Sequence, residues 1–139
     1  MKIAVVDGQG GGIGRSIIER LRRDLTPEEL ARVRIIALGT NALATGAMLK
    51  AGADEGATGE NAVVHTVETV DLILGPLGIV LANSMLGELT PRMAKAITTS
   101  RARKLLIPMN RCGVEVVGIQ TESMPRQLEI LVEKVKAML

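Results

Sequence analysis

Five glycines fall within seven residues, Gly8 to Gly14, directly behind one apolar run and directly ahead of another pattern. Lys2 to Val6 is short and rich in β-branched residues, which reads as a buried strand. Ile13, Ile17, Ile18 and Leu21 recur at helical spacing. A strand that turns through glycines into a helix is the opening of an α/β unit. The same unit is suited to an anion. Glycine lets the backbone approach a phosphate closely, and the helix start offers free N–H groups and the positive end of the dipole. The competing reading is a bare strand-to-helix turn, but five glycines exceed what such a turn needs.

The spacing separates the kinds of glycine loop. G-x-G-x-x-G fails, because Ile13 stands where a third glycine would follow Gly8 and Gly10. Gly8-x-x-x-Gly12-x-Gly14 fits and resembles the loop of short-chain dehydrogenases/reductases. Gly11-Gly12-Ile13-Gly14-Arg15-Ser16 also resembles the loop of deviant-Walker ATPases, with Arg15 in place of their lysine. Arginine is planar and bulkier than lysine, so that exchange is not conservative in a phosphate cradle.

Further along, strands and helices alternate. Thr26-Pro27-Glu28-Glu29 reads as a capped helix start, with threonine as cap and proline at the first position. Val33 to Leu38 reads as a strand, Gly39-Thr40-Asn41 as a turn and cap, and Ala42 to Ala51 as a helix ended by Gly52. A weak strand at Ala53 to Ala57 leads through Thr58-Gly59-Glu60-Asn61 to a helix around Ala62 to Val67. Val70 to Leu74 is a strand broken by Gly75-Pro76-Leu77-Gly78. A helix over Ile79 to Leu86, ended by Gly87, follows, then another from Thr90-Pro91 to Ser100. Lys104 to Ile107 is the fifth strand, Asn110 to Gly113 a turn, and Val114 to Val117 a sixth strand. Ser123 caps a last helix whose Leu128, Leu131, Val132, Val135 and Leu139 form one apolar stripe. The expected fold is α/β: a single three-layer Rossmann-like domain over residues 1–139, with a parallel sheet of five to six strands and helices on both faces.

Composition narrows the partners. The chain has 139 residues, 47% of them apolar, and contains no Phe, Tyr or Trp. Its core must be aliphatic, with seven methionines filling gaps. A bound adenine would rest between aliphatic side chains, and recognition of RNA by aromatic stacking is closed. A net charge of +2 with both signs scattered gives no footprint for nucleic acid. No apolar run has spanning length, so no membrane partner is expected, and a single cysteine suits a reducing, cytoplasmic location. One His and one Cys exclude a zinc site within one chain.

Asp7-Gly8-Gln9-Gly10-Gly11-Gly12-Ile13-Gly14, Ala37 to Ala42, Gly52 to Ala62, Gly75 to Ile79 and Ala82 to Glu88 together resemble a small bacterial domain-of-unknown-function family of Rossmann-like proteins. That resemblance covers nearly the whole chain and implies a fold and a length, with no activity to carry over. The dehydrogenase likeness covers only the first strand, loop and helix. Its catalytic tyrosine has no counterpart here, and Asp7 stands where a small neutral or hydroxyl residue is usual.

In such sheets ligands bind outside the carboxyl ends of the strands. The expected site is therefore Asp7, Gly8, Gln9, Gly10, Gly11, Gly12, Ile13, Gly14 and Arg15, with Thr40, Asn41, Gly75 and Pro76 from neighbouring turns. Its expected ligand is a nucleotide or dinucleotide of the NAD(P) type. Thr40 and Asn41 stand where dinucleotide folds place an acid for the ribose hydroxyls, and neither is acidic; as a helix cap, either is explained without a ligand. Asp7 could hold magnesium beside a phosphate, or could accept the loop N–H groups and compete with an anion for them. With Arg15 and magnesium it would support the alternative, a small phosphoryl-transfer or nucleotide-hydrolysing enzyme. Ser84 has no base in sequence and reads as a packing residue, His65 as a satisfied or partner-facing one, and Cys112 as an inert small hydrophobe. A third reading is a non-catalytic subunit whose site a partner completes. A helix over Ile79 to Leu86 would be apolar on most sides, which predicts a homodimer with this segment or the final helix at its centre.

Overall fold

The structure, a computed structural model, describes residues 1–108, 113–120 and 122–139. β1 (Lys2–Asp7) leads through the glycine loop into α1 (Gly12–Asp24), and a short α2 (Pro27–Leu30) precedes β2 (Arg34–Gly39). Then come α3 (Ala42–Lys50), β3 (Glu55–Thr58), α4 (Glu60–Thr66) and β4 (Leu72–Pro76). A single 3-10 turn (Leu77–Val80), α5 (Pro91–Thr99), β5 (Arg103–Ile107) and α6 (Met124–Lys136) complete the described elements. The five strands pair in parallel in the order β3-β2-β1-β4-β5.

Alternation along β1 divides the core. Ile3 and Val5 pack with Ile17, Ile18, Leu21, Met48, Leu131 and Val135, so α1, α3 and α6 cover one face. Ala4 and Val6 pack with Val63, Val67, Met93 and Ile97, so α4 and α5 cover the other. Each fully buried Ile or Leu in these layers contributes about 1.5–3 kcal/mol relative to exposure. Three layers around a five-stranded parallel sheet are the Rossmann-like arrangement expected from the alternating pattern.

The caps act where the sequence placed them. Thr26 and Glu29 form a reciprocal capping box, Asn41 accepts from the Ala44 N–H, and Thr90 and Ser123 cap α5 and α6. Five expectations need correction or fall outside the described residues. β4 runs through Gly75 to Pro76, paired there with Ile107, instead of breaking at Gly75. Val114 to Val117 is not a strand: Gly113 and Gly118 bracket it at φ 69° and 87°, and its valines are exposed, with no ladder partner among the described residues. β-branching supplies propensity, but a strand still needs an edge to pair with. The turn at Asn110 to Gly113 and Cys112 lie largely outside the described residues, Gly113 alone being within them.

The helix over Ile79 to Leu86 is also absent. After the 3-10 turn, Asn83, Met85 and Leu86 take φ of 65°, 57° and 56°, a left-handed conformation that no right-handed helix contains. Two anchors fix the ends of this segment, since Ile79 and Leu89 are fully buried. Between them the Ser84 hydroxyl donates to the Gly78 carbonyl, and the Asn83 N–H donates to the Leu89 carbonyl at 2.8 Å. These local bonds replace the helical ladder. The association expectation therefore loses one of its two helices, the final helix α6 being present.

Candidate functional site

The strand order reverses between β1 and β4, and the loops that follow these two strands diverge there. A cleft of 1220 Å³ fills the gap. One wall is Asp7 to Ile13; the other is Pro76, Gly78 and Val80 to Leu86; Val114 and Met124 close the end. The lining is largely aliphatic, as a chain without aromatic residues requires.

The glycine loop is shaped by two close approaches. Gly11 holds φ at 70°, and a Cβ there would lie 2.9 Å from the Ala44 backbone of α3. A Cβ on Gly14 would lie 2.5 Å from the Met48 sulfur and 3.0 Å from the Asp7 Cβ. By contrast, a Cβ on Gly10 or Gly12 would meet nothing within 4 Å. The loop thus divides into glycines required by packing and glycines that leave room above the backbone.

Asp7 continues the Ile3, Val5 alternation and so points toward α1. It is 5% exposed. Its two carboxylate oxygens accept from the Gly8 N–H and the Gly14 N–H, each at 2.8 Å. Gly11, the residue before α1, provides no side-chain cap, so Asp7 satisfies the third N–H of the helix from the neighbouring strand. Burial pushes its carboxyl above the usual range, opposed by hydrogen bonds from Gly14, Gly8 and Ile13 and supported by the nearby charge of Glu88. The N–H groups of Gly10 and Gly12 have no protein acceptor among the described residues. Both residues line the cleft.

On the β2 side of the loop stands a residue that the sequence did not point to. The Glu88 carboxylate oxygen Oε1 accepts from the Gln9 N–H at 2.9 Å, the Thr40 hydroxyl at 2.7 Å and the Asn41 amide at 2.7 Å. These donors hold its carboxyl below the usual range, the Gln9 N–H most strongly. An acid therefore does reach the end of β2, from 48 residues away in sequence. The missing acid at Thr40 and Asn41 was the one signal that could have prompted a search for it elsewhere.

The remaining expected residues divide. Gln9, Pro76 and Ile13 line the cleft, while Thr40 and Asn41 bind Glu88 and lie outside its lining. Gly75 is explained by packing, since a Cβ there would run into the Val6 carbonyl oxygen. Arg15 lies on the exposed face of α1 beside Glu19 at 3.7 Å and is not part of the cleft wall. Ser84 lines the cleft, with its hydroxyl given to the Gly78 carbonyl. His65 is exposed on α4. Among the described residues no group of three His, Cys, Asp or Glu could hold a metal ion. Each Asp7 oxygen already accepts an N–H, from Gly8 and from Gly14. No helix among the described residues is long and apolar enough to cross a membrane.

The sheet order, the three layers and a glycine loop at the switch point define a Rossmann-like α/β protein. Residues 2–139 match the family model described as Domain of unknown function (DUF3842), and the chain belongs to that family. No curated protein matches it.

Proposed function

We propose that the chain binds a nucleotide, with a phosphate at the start of α1 and the remainder of the ligand in the cleft between β1 and β4. One observation carries this reading. Among the described residues the N–H groups of Gly10 and Gly12 have no protein acceptor; both residues line a large cleft at the switch point, with open space where a side chain would stand. A helix start with unclaimed donors favours an anion. The aliphatic walls suit a base or nicotinamide ring, so the wider form of the proposal is a dinucleotide of the NAD(P) type.

The phosphoryl-transfer alternative has less support, because Arg15 pairs with Glu19 on the outer face of α1. The reading is therefore a binding module acting in the cytoplasm, free of nucleic acid and membrane. Association into a homodimer remains part of the proposal on a new footing. Leu86 is 99% exposed, and Val114 and Met124, also exposed, line the cleft with it, so the cleft mouth carries an apolar rim.

Titration of labelled protein with ADP, AMP and NAD⁺, with and without magnesium, tests the binding. The expected result is saturable shifts of the Gly10, Gly12 and Ile13 amides. Hydrolysis of ATP dependent on magnesium would favour the enzyme instead.

A further inference from the structure

The glycine loop has two sides, and only one of them is open. The β4 side is the cleft. On the β2 side, where dinucleotide folds receive the ribose next to the pyrophosphate, this chain places Glu88, at the end of the segment 82–88 whose earlier residues form the far wall of the cleft. Three donors from the loop and the end of β2 converge there: the Gln9 N–H, the Thr40 hydroxyl and the Asn41 amide. All three meet a single oxygen of Glu88. Met85 covers the loop as well, with its sulfur 2.6 Å from where a Gly8 Cβ would stand. A set of polar donors gathered at the end of β2 matches the hydroxyl and phosphate oxygens of a nucleotide, and the carboxylate occupies that set.

Building on the nucleotide reading, we propose that segment 82–88 is a clasp latched by Glu88, and that the ribose-phosphate half of a dinucleotide displaces Glu88 from Gln9, Thr40 and Asn41. The segment is built to move as a unit. Fully buried Ile79 and Leu89 hold its two ends in the core. Asn83, Met85 and Leu86 between them are non-glycine residues in the left-handed region, so the closed form is strained and opening relieves it. Leu86 at the tip is 99% exposed and contributes no packing that opening would lose. Glu88 itself is partly exposed and held by polar contacts that water can replace. The closed chain admits a mononucleotide through the β4 side, and the open chain admits a dinucleotide.

The test uses the full chain with Glu88→Ala and Glu88→Gln. Isothermal titration with NAD⁺ should give an affinity at least fivefold tighter for Glu88→Ala than for wild type, with AMP changed by less than twofold. Weaker NAD⁺ binding by Glu88→Ala would make Glu88 a ligand contact and overturn the latch; equal binding would overturn it too. Failure of every nucleotide to bind any of the proteins would refute the nucleotide reading, and hydrogen exchange then decides the clasp alone. The Asn83, Gly87 and Leu89 amides should exchange faster than β4 core amides in wild type, and at least tenfold faster again in Glu88→Ala. Exchange of these amides only with the core, at a rate the variants leave unchanged, would contradict the clasp.

Discussion

The Asp7 carboxylate lies 2.8 Å from the Gly14 N–H and accepts its hydrogen bond across the start of the first helix. This one contact joins the end of the central strand to the third residue of α1, and Gly14 has no room for a side chain beneath it. Replacing Asp7 with Ala leaves the Gly8 and Gly14 N–H groups without their acceptor. Chemical denaturation should show a loss of about 2–3 kcal/mol, offset in part by relief of the buried charge.

The two carboxylates at the loop respond to pH with opposite signs. The Asp7 carboxyl is raised in the folded protein, so the folded state holds its proton more tightly than the unfolded chain, and its contribution weakens as pH rises from the ordinary value of 3.8 through the raised value. Glu88 is lowered, so its contribution is present above the unfolded value of 4.5 and is lost as pH falls through the lower folded value. Denaturation between pH 3 and pH 7 should therefore show a smaller fall toward acid for Glu88→Gln than for wild type, and a steeper fall for Asp7→Asn. If both variants keep the wild-type pH slope, neither group is linked to folding.

Gly12 and Gly14 separate binding from packing. Gly12→Val places its side chain in open space and should leave the fold intact while abolishing phosphate binding, because the branched group blocks approach to the N–H groups. Gly14→Ala drives a methyl toward Met48 and Asp7 and should cost about 1–3 kcal/mol. Thermal unfolding and ligand titration on the same two variants distinguish these effects; equal loss of stability in both would remove the division.

The fold was legible because its signals are local. The β1 alternation, the Thr26–Glu29 capping box and the Asn41 cap are each read within a few residues. The Ile79 to Leu86 segment was not, because its apolar composition concealed the left-handed Asn83, Met85 and Leu86, held between tertiary anchors at Ile79 and Leu89. Half the site was legible for the same reason. Glycines crowd between strand and helix, but Glu88 reaches Thr40 only through the folded topology. Val114 to Val117 misled in the other direction, since β-branched residues record propensity and not the presence of a neighbouring strand.

Leu86 isolates the apolar rim from stability. Its side chain is almost fully exposed, so Leu86→Ser should leave the unfolding free energy within about 0.5 kcal/mol of wild type. If two copies meet at the cleft mouth, light scattering should show wild type as a dimer at micromolar concentration and the variant shifted toward monomer. A wild-type chain that remains monomeric at high concentration would end the dimer proposal.

The most direct test of the account is a nucleotide titration followed at the backbone amides of the glycine loop, beginning with ADP and NAD⁺. The account predicts saturable shifts at Gly10, Gly12 and Ile13, absent in Gly12→Val, with Asp7→Asn binding about fivefold more tightly in metal-free buffer because a charge beside the phosphate is gone. Amides that stay unmoved to millimolar ligand, or shifts confined to a surface away from the cleft, would contradict it.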